Sequence, residues 1–189
     1  QLKQKNQLLL ELFSPFIDKA LIYFPAPAPQ IKHYRNKVFM PVGKNIQTGK
    51  ITFGMYARYS HQIVEHITCE NHPPIFDQLA NSLMEFCLKA KVEPYNEIEH
   101  RGQLRYIGFR GNSEGSQILV ILVTLSGKLP FTNLLVKKLT SEFPAVKGII
   151  QNINRQKGNV ILGKETKLLY GSENLYDNLC GLKFRVNYR

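Results

Sequence analysis

The amino-acid sequence predicts an α+β domain built on a mainly antiparallel or mixed β-sheet with two to three packed helices. Three observations carry that expectation. The run ILVILVTL at 118–125 is apolar on both faces, which suits a strand at the centre of a sheet covered on both sides. Two stretches with helical apolar spacing begin at prolines, at Pro73-Pro74 and at Pro130. Around them lie strand-length segments separated by glycine- and serine-rich turns, the pattern of strand pairs with interspersed helices.

In chain order, Leu8, Leu9, Leu12, Phe13 and Phe16 recur at helical spacing and predict an amphipathic first helix. FPAPAPQ at 24–30 places three prolines in seven residues, which blocks helix and central strand and predicts an extended connector. Residues 35–42 and 50–59 predict two strands around the turn-rich GKNIQTGK. Val38, Met40 and Val42 would share one face, with Lys37 and Phe39 on the other. HQIVEHI at 61–67 predicts a further short strand.

The diproline opens a helix to about Lys91, with Phe76, Leu79, Leu83, Phe86, Cys87 and Ala90 as its inward stripe. QLRYIGFRG and SQILVILVTLSG predict strands joined by RGNSEGS. Pro130 starts a helix to about Phe143 with Phe131, Leu134, Leu135 and Leu139 inward, and AVKGIIQNIN returns as a strand. NVILG, TKLLYG and LKFRVN predict short strands punctuated by glycine.

A chain of 189 residues with 43% hydrophobic content can bury a core of its own. Twenty-five Lys and Arg against fourteen Asp and Glu give a net charge of +11, which favours a polyanionic partner. The surplus is unevenly placed. No acid lies between Asp18 and Glu65, while Lys19, Lys32, Arg35, Lys37, Lys44, Lys50 and Arg58 all do, so a positive face is expected there. A second acid-free run, between Glu142 and Glu165, holds Lys147, Arg155, Lys157 and Lys164.

No apolar run approaches the roughly 20 residues of a membrane helix, and the start of the chain has no secretory signal pattern. Cys69, Cys87 and Cys180 stand far apart and form no CxxC, which argues against a disulfide framework or a self-contained zinc site and for a reducing cytoplasm. The sequence opens without methionine and stops within a strand-like alternation, so both ends are expected to be cuts in a longer polypeptide.

Neither GxGxxG nor GxxxxGK[ST] occurs. Ser60 and His61 are adjacent and would point to opposite faces of a strand, with no acid placed to orient the imidazole, so they do not read as a nucleophile and base. His33, His66, His72 and His100 lack the spacing of a metal-binding helix. The stronger signals are planar and cationic. Tyr34, Arg35, Asn36 and Lys37 offer a ring, a fork, an amide and a point charge, the groups that grip phosphates and unstacked bases. QNINRQKGN repeats the theme with Gln151, Asn152, Asn154, Arg155, Lys157 and Asn159, whose amides suit either base edges or turn caps.

Five stretches, HYRNKVFMPVG, GMYARYSHQIVEHITCENHPP, YNEIEHRGQLRYIGFR, LVTLSGKLP and VKGIIQNINRQKGNVILG, together resemble the RNA uracil-5-methyltransferases acting on ribosomal and transfer RNA. They occur in the family's order and span almost the whole chain. The resemblance implies a central domain, residues 1–189, with an RNA-binding β-barrel before it and an S-adenosylmethionine-dependent catalytic domain after it. The nucleophilic cysteine, the base and the cofactor loop would then lie outside this chain, which alone is expected to be inactive and to bind no S-adenosylmethionine.

Some members of that family carry a 4Fe–4S cluster on four cysteines, one of them at the position of Cys69; thiolate suits such a cluster, and none is expected in this chain. The expected partner is RNA, 23S ribosomal RNA before transfer RNA, with no membrane and no obligate protein partner. Tyr34, Arg35, Asn36 and Lys37 are the residues expected nearest the RNA, joined by Arg58, Arg105, Asn152 and Asn154. The competing expectation is a spacer that orients flanking domains and binds little RNA itself.

Overall fold

The computed structural model describes residues 1–16, 18, 21–65 and 68–189. Lys19 of the acid-free stretch, and His66 and Ile67 at the end of the strand expected over 61–67, lie outside the described residues. The chain divides into two compact units, Gln1–Lys32 and His33–Arg189. In the first, helix α1 (Leu2–Phe13) forms where the leucine spacing predicts it, and none of its side chains is buried. Residues 22–28 are neither helix nor strand, as their prolines require.

The second unit is a seven-stranded mixed sheet with a separate hairpin. Its strands are β1 (Lys37–Lys44), β2 (Ile51–Tyr56), β3 (Ile63–Glu65), β4 (Leu104–Gly111), β5 (Ile118–Thr124), β6 (Val146–Ile153) and β7 (Glu165–Gly171). They lie in the order β3-β2-β1-β4-β5-β6-β7. The neighbours are antiparallel except β5 and β6, which are parallel. A parallel pair needs a crossover, and helix α3 (Thr132–Glu142) supplies it. Helix α2 (Pro74–Lys89) precedes β4, and β8 (Asn174–Leu179) pairs with β9 (Leu182–Asn187) as the hairpin.

Every residue of β5 is buried, so each face of the sheet needs a cover. On one face Val120 and Leu122 pack with Val38, Met40, Ile107 and Phe109 beneath Phe76, Leu79 and Leu83 of α2 and Leu135 and Leu139 of α3. Phe76 meets Phe109 with ring centroids 5.4 Å apart. Cys87 belongs to this layer, and burial pushes its thiol up to about 12, as core packing rather than chemistry requires. On the other face Leu119, Ile121, Val123 and Ile150 pack with Leu175 and Tyr188 from the hairpin segment. The buried phenol of Tyr188 is satisfied by Thr166 Oγ1 at 2.7 Å.

Two local expectations fail. NVILG, residues 159–163, is not a strand, because side-chain amides take up its backbone groups in place of a neighbouring strand. Asn152 bonds both the N–H and the carbonyl of Gly163, and Asn154 Nδ2 donates to the carbonyls of Val160 and Ile161. Helix α3 begins at Thr132 rather than at Pro130. Phe131 stands before it at a φ of 55° and, like Leu134, is exposed, so Leu135 and Leu139, four residues apart, are the buried residues of the stripe, with Val136 partly buried beside them.

Leu122→Ala is expected to lower stability by about 2–5 kcal/mol in urea denaturation, through lost transfer energy and an unfilled cavity. Leu134→Ala, on the exposed side of α3, is expected to change it by under about 0.5 kcal/mol.

Candidate nucleic-acid interface

Residues 33–36 are held by their backbone rather than by a ladder. His33 N–H donates to Glu70 O at 2.7 Å, Arg35 N–H to Asn71 O at 2.8 Å, and Gly111 N–H to Asn36 O at 2.8 Å. These bonds fix the segment and leave the side chains of Tyr34 and Arg35 exposed, with Asn36 and Lys37 half-buried. Lys37 is the register partner of Arg110 across β1 and β4. Burial, then the Arg110 guanidinium, lowers the Lys37 ammonium pKa below its usual value. Arg110 Nε is buried with no hydrogen-bond partner among the described residues. Two cations opposite each other cost stability unless an anion joins them, and the Asp177 carboxylate already lies in the field of Arg110.

A trough opens because two strands part company. Residues 37–41 of β1 pair with β4, whereas 42–44 pair with β2, and Pro41, having no N–H for a ladder, stands at the handover. Beyond Phe53, β2 leaves β1 and pairs residues 54–56 with β3. The wedge between them holds a cavity of about 630 Å³ with Phe39, Pro41, Met55, Tyr106 and Ile161 in its walls and Arg58, Tyr59 and Asn159 among its polar lining. Tyr59 is 91% exposed at a φ of 58°. Arg58 steadies it, with Nη2 donating to the Tyr59 hydroxyl at 2.9 Å and the guanidinium 4.8 Å from the ring centroid. An exposed ring with a guanidinium on it is a stacking platform for a base.

A second cavity, of about 840 Å³, meets the first at Tyr56, His61, Glu97 and Tyr106, which line both. The Tyr56 and Tyr106 hydroxyls are 3.5 Å apart. Burial, then that hydrogen bond, lifts the Tyr56 phenol pKa far above its usual value. His61 Nδ1 lies 2.5 Å from Glu97 Oε2. The stretch that is acid-free in sequence is therefore not acid-free in space, and Asn45 likewise donates to Glu65.

Three of the expected RNA contacts are internal. Arg105 is 2% exposed, its Nη1 donates to the carbonyls of Asn154 and Gln156 at 2.7 Å each, and its guanidinium lies 4.3 Å from the Tyr95 ring centroid. Asn152 and Asn154 are fully buried and committed to the 154–163 loop, so the amides take the turn-holding role of the two the sequence allows. Tyr34, Arg35, Lys37 and Arg58 remain accessible at least in part. Tyr56, Tyr59 and Tyr106 line the trough without standing out in the sequence; for the first two the interleaving of rings and cation in MYARY was the available signal. Cys69 accepts the Asn71 N–H at 3.4 Å. Among the described residues no group of three His, Cys, Asp or Glu side chains gathers at a metal-binding distance.

No protein-family model matches the chain. It is 37% identical over 156 residues, 82% of its length, to an uncharacterized RNA methyltransferase of Oceanobacillus iheyensis. It is 40% identical over 153 residues to one of Clostridium tetani, and 38% identical over 156 residues to one of Listeria innocua. The chain spans about a third of the length of these curated relatives, 33–34%. By fold it is similar, with a TM-score of 0.76 and 20% identity, to a tRNA (uracil-54, C5)-methyltransferase of Pyrococcus abyssi solved in complex with S-adenosyl-L-homocysteine. The match covers 98% of this chain and 41% of that one.

Asn152→Ala leaves the Gly163 N–H and carbonyl without their partner. It is expected to cost about 1–3 kcal/mol in denaturant unfolding and to speed hydrogen exchange at Gly163.

Proposed function

We propose that the chain, which is 37–40% identical over most of its length to uncharacterized RNA methyltransferases, is the central, RNA-holding region of a uracil-5-methyltransferase, gripping RNA beside a flipped target uracil. The observation that carries the reading is the trough mouth, where Arg58 and Tyr59 form an exposed stacked pair beside an apolar wedge. Lys37 beside Arg110 supports it, because a phosphate placed there would meet two neighbouring cations. With Tyr34 and Arg35 alongside, the set divides into groups that hold phosphate and groups that stack a base.

In the whole enzyme the reaction is the attack of a cysteine thiolate on uracil C6, methylation at C5, and removal of the C5 proton with release of the thiolate. S-adenosylmethionine supplies the methyl group when bound. The thiolate, the base and the cofactor loop belong to other parts of the protein, so the share of these residues is to hold RNA with a base out of its stack. Ribosomal RNA, 23S in particular, is the substrate we favour over transfer RNA, in a reducing cytoplasm that suits the three free cysteines.

The competing role is a spacer with little affinity for RNA, and the internal work of Arg105, Asn152 and Asn154 favours it. Titration of labelled single-stranded RNA separates the two. Binding is expected to weaken steeply with salt, and Arg35→Ala with Lys37→Ala to reduce the slope of log K against log salt by about 1–2. Tyr59→Ala is expected to cost about 1–3 kcal/mol with little change in slope. Absence of binding at low salt, or binding indifferent to these changes with the fold intact by circular dichroism, makes the chain a spacer. Incubated alone with S-adenosylmethionine and uracil-tritiated RNA, it is expected to release no tritium.

A further inference from the structure

The larger cavity, between the β1–β2 hairpin and residues 93–102, has a lining unlike that of the basic surface around it. Tyr56, Tyr95 and Tyr106 supply planar walls, and Glu93, Glu97 and Glu99 bring three carboxylates within seven residues of a chain that has fourteen. Arg101, ion-paired with Glu99, and the buried Arg105 lie in the same lining. Arg105 uses Nη1 for two carbonyls and one face for Tyr95, yet its Nε is buried without a hydrogen-bond partner among the described residues. A buried guanidinium N–H left unmade is costly, and Arg105 is among the residues lining a cavity whose volume, about 840 Å³, is that of a small-ligand cleft.

The mixed lining selects a ligand class. A phosphate would meet carboxylates, and a bare cation would meet guanidinium groups and Lys44. A neutral, flat group with donor and acceptor edges meets neither penalty: rings take its faces, carboxylates its N–H groups, and guanidinium groups its carbonyl or ring nitrogen. Carboxylates at this density favour a base with an exocyclic amine over uracil, which has none. We propose that this cavity is a subsite for one unstacked, amine-bearing nucleobase of the RNA, its phosphates remaining outside on the basic surface. The inference rests on the reading of the chain as an RNA-holding module and adds to it a position at which base identity is sensed.

The test uses the chain itself and fluorescent oligouridylates carrying one central guanosine, adenosine, cytidine, uridine or abasic residue. Oligomers with an amine-bearing base are expected to bind about tenfold more tightly than the abasic one and several-fold more tightly than the uridine one. Glu97→Gln, paired with Glu93→Gln in a second variant, is expected to shrink that preference several-fold when each oligomer is compared with the abasic one in the same variant, with thermal melting checking the fold of each. Equal binding of all five oligomers overturns the subsite and leaves the RNA-holding reading standing. Failure of every oligomer to bind overturns both. Base-independent RNA binding, together with an arginine-bearing peptide whose affinity is lost in the glutamine variants, assigns the cavity to a protein side chain and also overturns it.

Discussion

The water-free environment of β5 is the constraint on which this structure depends. From Ile118 to Thr124 no residue of the strand is exposed, so two separate covers have to be built, and they differ in kind. The first is helical, with leucines at four-residue spacing and Phe76 filling the space against Phe109. The second is assembled from a hairpin and an irregular loop, and an irregular loop over a core brings backbone groups that must be satisfied. Asn152, Asn154 and Arg105 meet that need, which explains why so many amide and guanidinium groups of this region are turned inward.

The same economy of hydrogen bonds shapes the open side of the sheet. Each half of β1 serves a different neighbour, and β2 turns to β3 once it has left β1. The gap that results is lined with rings because strand faces at a cavity still have to exclude water from the core beneath. Polar tips at the rim, Arg58, His61 and Glu97, keep the gap wet at its mouth. Charge completes the picture: Lys37 and Arg110 stand opposite one another at the other end of β1, an arrangement that gains from an anion.

Much of the fold was legible because burial on both sides forces an apolar run, and ILVILVTL meets its first polar residue only at Thr124. The α2 stripe was legible for a similar reason, since Pro74 marks its start and Leu79 and Leu83 its face. The start of α3 was not, because Pro130 pointed to a boundary that the left-handed turn at Phe131 displaces. β8 was also missed: NLYDNL carries one inward leucine, Leu175, and its pairing with β9 is decided by tertiary contact. At the candidate interface, residue type misled where burial decided. Asn and Arg serve a base edge and a loop carbonyl equally well, and nothing local separates Asn152 from Asn36 before the 154–163 loop is folded over it.

RNA held as proposed lies against residues 34–37 and the trough beside β2, and not on the exposed faces of α2 and α3. Photocrosslinking with 4-thiouridine-substituted RNA, followed by mass spectrometry of the adducts, tests this most directly. The account requires adducts in peptides holding residues 34–37 and 55–61, outnumbering those elsewhere in the unit His33–Arg189. Adducts confined to α2 and α3, or spread evenly over the lysine-bearing surface, would contradict it.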